Sequence, residues 1–311
     1  MNNKPRIAVL IPCYNEEVAI PTVIRDFRDT LPNAIIYVFD NNSCDRTIEV
    51  ARNAGGIVRH VSLQGKGNVV RRMFADVEAD AYVLVDGDNT YHAGSVRIMI
   101  DRLFAGNMDM VVGRRVTDET TAYRHGHRFG NWLLTEITAQ MFGHTFTDIL
   151  SGYRVFSRRF VKSFPALATG FEIETELTVH ALELRMPIEE IDTPYKSRQE
   201  GSTSKLNTYR DGIRILWTIL KLFRQERPLA FFGSIGIALS LASLALSIPL
   251  FLTYAETGLV PRFPTAILVT GMMLAAFLSF ACGLILDTVT RGRQEMKRLF
   301  YLGIQAPENN E

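Results

Sequence analysis

Two long stretches without a charged residue lie in the C-terminal third of this 311-residue chain, and they limit its fold more than any other feature. They cover residues 229–255 and 263–286, with a short connection between them. About 20 consecutive apolar residues suffice for a helix to cross a membrane. The pattern predicts two antiparallel transmembrane helices, and a pair of helices buried in a soluble core is the alternative.

Basic residues flank the two stretches on their outer sides, whereas the connection holds only Arg262. The flanking residues are Lys221, Arg224, Arg227, Arg291, Arg293, Lys297 and Arg298. Basic segments beside membrane helices stay on the cytoplasmic side. The flanks therefore predict a cytoplasmic N-terminal part, at the plasma membrane if the cell is prokaryotic. Three cysteines without a CxxC pair also fit a reducing compartment.

The segments that border the hairpin have different patterns. Residues 208–227 place apolar side chains on one helical face and polar ones on the other. This pattern predicts a helix lying in the membrane interface, and a helix packed on the soluble part is the alternative. Residues 288–311 are predicted to be a cytoplasmic tail that becomes polar and disordered after Leu299.

Residues 1–207 alternate short apolar strands with helical segments. This order predicts an α/β domain with a mostly parallel sheet covered on both faces. Ligands of such sheets bind at the carboxyl ends of the strands. The net charge of +1 provides no general attraction to nucleic acid. The polar residues that follow each strand are therefore the candidates for a functional site.

Asp86 and Asp88 follow the apolar strand that ends near Val85. Two ionised carboxylates one residue apart repel each other, and a divalent cation removes that repulsion. Mg²⁺ or Mn²⁺ binds one or two carboxylates and takes further ligands from water and phosphates. The pair therefore predicts a metal site, with ordinary turn or cap residues as the alternative.

Several motifs together resemble the family 2 glycosyltransferases with a GT-A fold. They are PCYNEE after the first strand, DNNSCDRT after the second, GKG before the third helix and VDGD after the fourth strand. Later motifs resemble the polyprenyl-phosphate branch, which includes enzymes similar to dolichol-phosphate mannose synthase. These are VVGRR, TDILSGYRVF, GFEIETEL and SRQEGSTSKL. The resemblance covers residues 5–227, and the two C-terminal spans match one subgroup of that branch.

The resemblance implies how the residues hold a nucleotide-sugar donor. Nucleoside binding falls to Pro12, Tyr14, Glu16 and Asp40. Asp86 and Asp88 would hold the Mg²⁺ or Mn²⁺ that bridges the diphosphate. Thr90 stands where related synthases often carry glutamine, which leaves the metal preference open. Lys66, at a predicted helix start, is a candidate donor-diphosphate ligand or an exposed loop lysine.

The resemblance also implies an acceptor site for a lipid phosphate. Its candidate residues are Arg115, Arg128, Arg198, Ser204 and Lys205. Asp148, together with Asp88 and Arg115, is expected to serve catalysis by positioning the substrates or, for Asp148, by acting as a base. Glu174 and Glu176 are possible neighbours of the site.

The expected reaction is inverting transfer of a sugar from a UDP-sugar, preferred over GDP-mannose, to a dolichyl or undecaprenyl phosphate. A separate flippase and homo-oligomerisation through the spans are expected as well. Two alternatives stay open. A processive polysaccharide synthase would carry a Gln-x-x-Arg-Trp signature, which this sequence does not contain. The other alternative is a catalytically inactive membrane scaffold.

Overall fold

The chain divides into two compact units, each of which has its own packing. The computed structural model describes residues 4–116, 147–197, 217 and 220–305. One unit combines residues 1–215 with 297–311, and the other comprises residues 216–296. Of the predicted interfacial segment 208–227, only residues 217 and 220–227 are described, and residues 220–226 are helical.

A seven-stranded sheet forms the centre of the N-terminal unit. Its strands are β1 (Ile7–Cys13), β2 (Ile35–Asp40), β3 (Ile57–His60), β4 (Ala81–Leu84), β5 (Met110–Val116), β6 (Arg154–Ser157) and β7 (Ile188–Pro194). Their spatial order is β3-β2-β1-β4-β6-β5-β7. Only β6 runs antiparallel to its neighbours, β4 and β5. The predicted mostly parallel α/β sheet is confirmed.

Helices cover both faces of this sheet, as the alternation of strands and helices predicts. They are α1 (Ile20–Thr30), α2 (Thr47–Asn53), α3 (Lys66–Asp76), α4 (Val96–Ala105), α5 (Arg158–Ser163) and α6 (Ile173–Leu184). Side chains alternate along β1, so Leu10 packs with α3 and α6 while Val9 and Ile11 pack with α1 and α4. Burial of both faces explains why the central strands β1 and β4 are apolar throughout rather than alternating.

The parallel strands all end at one edge of the sheet, and the antiparallel β6 begins at that same edge. Arg154, the first residue of β6, lies opposite Leu84 at the end of β4. The described end of the loop before β6 therefore lies at the same edge as the loops that follow β1, β2 and β4 and as the end of β5. This shared edge, called the carboxyl edge below, brings together segments that are far apart in the sequence.

Two long apolar helices form most of the second unit. They are α7 (Pro228–Thr257) and α8 (Phe263–Leu302), and each contains a window with mean hydropathy 2.2. Small residues let them approach each other closely: Gly236 lies against the Phe280 ring, and the Ser243 hydroxyl donates to the carbonyl of Val269 at 2.9 Å. Large apolar side chains point outward along both helices. By length and composition, both helices could cross a membrane.

The last turns of α8 belong to the N-terminal unit. Lys297 Nζ lies 2.6 Å from Glu183 Oε2, and the Tyr301 hydroxyl donates to Asp109 Oδ2 at 2.6 Å. The guanidinium of Arg159 lies over the Tyr301 ring, 5.0 Å from its centroid. The predicted disorder after Leu299 is therefore wrong as far as Leu302, because Tyr301 gives a buried carboxylate a hydrogen-bond donor.

Replacing Tyr301 with phenylalanine removes that donor from Asp109, which is fully buried. We expect Tyr301→Phe to lower the free energy of unfolding of the N-terminal unit by about 1–2 kcal/mol, because a buried carboxylate oxygen loses its partner. Urea titration of the detergent-solubilised protein measures this change. Tyr254→Phe, at an exposed position of α7, is the matched control and should leave stability unchanged. Equal stabilities for the two variants would contradict the role of this contact.

Candidate functional site

The carboxyl edge of the sheet gathers most of the candidate residues. Those that the structure describes there are Pro12, Tyr14, Glu16, Asp40, Lys66, Asp86, Asp88, Arg115 and Asp148. The remaining candidates, Arg128, Arg198, Ser204 and Lys205, lie outside the described residues. The edge thus joins the residues predicted to bind the donor with two of those predicted to serve the acceptor or catalysis.

The loop after β1 packs on the loop after β2. The backbone amide of Asn15 donates to Ser43 Oγ at 2.9 Å, and the amide of Glu16 donates to Thr47 Oγ1 at 2.8 Å. Asn15 has a φ of 53°, a left-handed conformation that asparagine tolerates better than most residues. Tyr14 is half-buried and Glu16 is buried in this arrangement. Pro12 lies just before this loop, inside β1.

Asp40 ends β2 with a fully buried carboxylate. One oxygen, Oδ2, accepts from the amide of Ser43 at 3.3 Å and lies 3.4 Å from His60 Nδ1. The other oxygen, Oδ1, is buried and has no hydrogen-bond partner among the described residues. A buried acceptor without a donor costs free energy. Asp40 Oδ1 is therefore suited to accept a hydrogen bond from a ligand N–H or O–H group.

Asp86, Gly87 and Asp88 follow β4, and a side chain at the middle position would not fit. A Cβ atom on Gly87 would lie 2.6 Å from Cys13 Sγ. Asp88 is buried, and its Oδ1 accepts from the Thr90 hydroxyl at 2.7 Å. Thr90, the position where related synthases often carry glutamine, thus orients the second carboxylate.

The two carboxylates are a donor set that fits Mg²⁺ or Mn²⁺, since these ions bind one or two carboxylates and complete their shell with water and phosphate oxygens. Within the described parts of the chain, no three His, Cys, Asp or Glu side chains converge on one point. Of the described residues, Asp86 and Asp88 are the ones that could hold such an ion.

Lys66 lies between two carboxylates rather than on an exposed loop. Its ammonium group is 2.5 Å from Asp86 Oδ1 and 2.5 Å from Glu174 Oε1, and its side chain is 10% exposed. Burial by itself would lower the pKa of Lys66, but the two carboxylates outweigh it and raise that pKa above its usual value. The lysine is therefore charged at neutral pH.

Arg115 and Asp148 form a bidentate ion pair at the ends of β5 and the loop before β6. Arg115 Nε donates to Oδ2 at 2.8 Å and Nη2 donates to Oδ1 at 2.7 Å. Both side chains are largely buried, and the guanidinium lies 5.5 Å from the centroid of the Tyr195 ring. Two parallel hydrogen bonds fix the orientation of both groups. Arg114, the adjacent residue, instead forms an exposed pair with Asp192 on β7.

Arg154 is a buried arginine that the sequence-based prediction missed. It donates to the carbonyls of Ile149 and Ser151 at 2.5 and 2.9 Å, and to Thr178 Oγ1 at 2.8 Å. Burial lowers the pKa of Arg154 to about 10, with Glu174 opposing that shift. An arginine at the start of an otherwise apolar strand was the sequence signal that could have revealed it. The residue fastens the loop that carries Asp148 onto α6.

Glu190 supports the same loop from β7. Its carboxylate accepts from the amide of Thr147 at 3.0 Å and from the amide of Asp148 at 3.1 Å. Gly152, near the other end of the loop, lies so close to Asp86 that a Cβ atom would come within 2.4 Å of Oδ2. One short loop therefore carries Asp148, the partner of Arg115, and also contacts Asp86, the first of the two strand-end aspartates.

Replacing Arg154 with methionine leaves two carbonyls and a hydroxyl without their donor in a fully buried place. We expect Arg154→Met to lower the free energy of unfolding by about 3 kcal/mol, since each unsatisfied buried group costs about 1 kcal/mol or more. Arg114→Met is the control, because exposed ion pairs contribute about 0–1 kcal/mol. Urea titration compares the two variants, and a similar loss in both would contradict the structural role of Arg154.

Three relatives in sequence differ in how much of the chain they match. Glycosyltransferase AglJ of Haloferax volcanii is 32% identical over 296 residues, which is 94% of this chain and 97% of that protein. The dolichyl-phosphate hexose transferase of the same organism is 28% identical over 222 residues, covering 71% of this chain and 95% of that one. An uncharacterized Shigella flexneri protein is 58% identical over 154 residues, covering 50% of this chain and 94% of that one.

The fold also matches solved structures. Glucosyl-3-phosphoglycerate synthase from Mycobacterium tuberculosis, crystallised with Mn²⁺ and UDP-glucose, superposes with a TM-score of 0.57 at 22% identity. The match covers 70% of this chain and 79% of that one, and it shows a common fold. The sequence profile described as "Glycosyl transferase family 2" matches residues 8–164. With this profile over half of the chain and AglJ aligned over nearly all of it, the chain belongs to glycosyl transferase family 2 and has the GT-A fold.

Proposed function

We propose that this glycosyltransferase moves a sugar from a nucleotide-diphosphate donor to a polyprenyl phosphate at the cytoplasmic face of a membrane. The observation that carries the proposal is the gathering of Asp40, the Asp86–Asp88 pair and the Arg115–Asp148 pair at one edge of the sheet. These groups suit a nucleoside, a diphosphate with its metal ion, and a phosphate acceptor, in that order.

Asp40 and Tyr14 are the proposed nucleoside ligands, with Pro12 and Glu16 in the same loop. Uracil and guanine both carry an N–H group that the unpartnered Asp40 Oδ1 could accept from. A half-buried tyrosine can stack on either base. A UDP-sugar is the preferred donor over GDP-mannose, and the Mycobacterium tuberculosis enzyme with this fold was crystallised with UDP-glucose.

Asp86 and Asp88 are the proposed ligands of Mg²⁺ or Mn²⁺. Such an ion, when bound, offsets negative charge on the diphosphate leaving group. Thr90 keeps the Asp88 carboxylate in one orientation, and Gly87 allows the backbone to pass close to Cys13. These residues therefore prepare a rigid site before any ligand arrives.

The acceptor is proposed to be the phosphate of the lipid, held by Arg115 together with Arg128, Arg198, Ser204 and Lys205. A phosphate monoester has a second pKa near 6, so at neutral pH its oxygen is already a nucleophile. This oxygen forms a bond to the anomeric carbon while the bond from that carbon to the nucleoside diphosphate breaks, with inversion. No proton transfer from the acceptor is required.

Asp148 is proposed to position Arg115 rather than to act as a base. Both of its carboxylate oxygens accept hydrogen bonds from the Arg115 guanidinium. Two parallel hydrogen bonds from one guanidinium fix the relative orientation of the two groups. The geometry therefore favours the positioning role over the alternative.

Membrane anchoring through α7 and α8 would bring the acceptor lipid to the enzyme. The length and composition of the two helices support this, and so does the name of the Haloferax volcanii relative, a dolichyl-phosphate hexose transferase. We also propose a separate flippase for the product, because two spans per chain form no evident transport path, and a possible homo-oligomer through the spans. A processive polysaccharide synthase and an inactive scaffold are the competing proposals.

Sugar transfer can be measured directly. The purified chain in detergent is incubated with a panel of radiolabelled UDP- and GDP-sugars and a short polyprenyl phosphate, with Mg²⁺, Mn²⁺ or EDTA. We expect label from one donor to enter an organic-extractable product containing a single sugar, and EDTA to abolish transfer. Asp88→Ala should reduce the rate at least 100-fold because it removes a metal ligand, with folding checked by its melting curve. A product with many sugars would favour the synthase, and no transfer from any donor would favour the scaffold.

Nucleotide binding tests the role of Asp40 separately from catalysis. We expect Asp40→Asn to weaken binding of the matching nucleoside diphosphate about tenfold or more, because the amide can present a donor where the base also presents one. Titration calorimetry measures this affinity. Asp45→Asn, a change in the same loop at a carboxylate that caps Thr47, is the matched control. Equal affinities for the wild type and the Asp40 variant would remove Asp40 from the nucleoside site.

A further inference from the structure

We propose that Glu174 is a positioning residue that holds the Lys66 ammonium beside Asp86, and that this shared ammonium sets how tightly the site binds a divalent cation. The inference rests on the proposed function, because it takes Asp86 as a metal ligand. The sequence predicted Lys66 to be a direct ligand of the donor diphosphate, and this inference assigns it a different role.

The local packing explains why Lys66 and Glu174 meet. Gly65 and Gly67, on either side of Lys66, lie directly on the segment 168–170 that leads into α6. A Cβ atom on Gly65 would lie 2.1 Å from the carbonyl oxygen of Thr169, and one on Gly67 would lie 2.3 Å from that of Ala168. The amide of Gly67 also donates to the carbonyl of Gly170 at 3.2 Å. The Gly-Lys-Gly motif therefore docks α3 on the segment that begins the Glu174 helix.

The resulting contacts are short, and the side chains of Lys66 and Glu174 are largely buried. Lys66 Nζ lies 2.5 Å from one oxygen of each carboxylate, and Glu174 is 6% exposed in its side chain. The second oxygen of Glu174 is buried and accepts no hydrogen bond from the part of the chain that the structure describes. Of the two partners, Asp86 is the more exposed, at 29%. Glu174 thus holds the lysine on its buried side, whereas Asp86 is the partner that solvent or a ligand can reach.

Charge explains what the arrangement does. The Lys66 ammonium beside Asp86 repels a cation that binds to the same carboxylate. At a few ångströms this repulsion is substantial even in a partly hydrated site. Glu174 partly neutralises the ammonium of Lys66. The net charge around Asp86 therefore stays negative enough to attract a cation. Glu174 acts on the metal site through Lys66. Removing Lys66 should therefore raise the metal affinity, whereas removing Glu174 should lower it.

The test is a titration of the full chain in detergent with Mn²⁺ alone, in which electron paramagnetic resonance reports the free ion. We expect Lys66→Met to tighten Mn²⁺ binding about tenfold, because it removes the competing charge. Glu174→Gln should weaken binding about tenfold, since the ammonium is then shared with Asp86 alone. In the Lys66→Met background, Glu174→Gln should weaken it about threefold at most, because two residues that act through one contact are not additive.

The matched control is Lys162→Met, which removes another lysine paired with a carboxylate, Glu78, at 2.6 Å but away from the site. It should leave Mn²⁺ affinity unchanged. If Lys66→Met fails to fold because two carboxylates lose their cation, Glu174→Gln and the double variant still make the comparison. Adding Lys66→Met to Glu174→Gln should then tighten binding.

Unchanged or weaker Mn²⁺ binding when Lys66 is removed, in folded protein, would overturn the inference and return Lys66 to the donor diphosphate. Equal effects of Glu174→Gln with and without Lys66 would also overturn it, and so would a wild type whose Mn²⁺ binding does not depend on Asp88. Sugar transfer by the wild type, measured in parallel, decides the proposed function separately. Transfer that persists while the Mn²⁺ results fail would contradict this inference alone.

Discussion

Negative charge buried at the carboxyl edge of the sheet is the constraint on which the rest of the structure depends. The carboxylates concerned are the buried Asp40, Asp88, Asp148 and Glu174 and the half-buried Asp86. Isolated carboxylates in such a place would lose their charge or destabilise the fold. Each instead meets a cation, a hydroxyl or an amide. For Asp88 the partner comes from its own loop, whereas Asp86, Asp148 and Glu174 pair with Lys66 or Arg115 from other elements.

The lysine and arginine side chains that pair with these carboxylates are brought to them by packing and not by proximity in the sequence. Lys66 reaches its carboxylates because two glycines let α3 dock closely, and Arg115 reaches Asp148 because β6 runs against β5. Arg154 neutralises no carboxylate by direct contact and instead secures the main chain of the loop. The candidate site is therefore held by largely buried ion pairs and by hydrogen bonds from Arg154 to main-chain carbonyls.

The sequence predicted the sheet, the two long apolar helices and the edge where the site lies. Periodicity and turn residues sufficed there, because strands buried on both faces have a recognisable composition. The strand β6 was not predicted, since its sequence RVFS holds only two apolar residues in four and gives no clear strand pattern. The helical end of α8 at Tyr301 was also missed, because its partner Asp109 is far away in the sequence.

Within the site, the aspartates at strand ends were predictable because chemistry and position agree at Asp40, Asp86 and Asp88. The partner of Lys66 was not, since local sequence shows that a lysine starts a helix but not which carboxylate faces it. Arg154 was missed for a related reason. A buried arginine that serves backbone carbonyls leaves no pattern of charged neighbours in the sequence.

The single antiparallel strand has a consequence for how such an enzyme can diversify. Because β5 ends and β6 begins at the same edge, the two strands that border residues 117–146 meet this segment on one side of the sheet. Insertions or deletions there leave the register of every strand intact. A change of length there can therefore alter the surroundings of the candidate site while the strand-end aspartates stay in place.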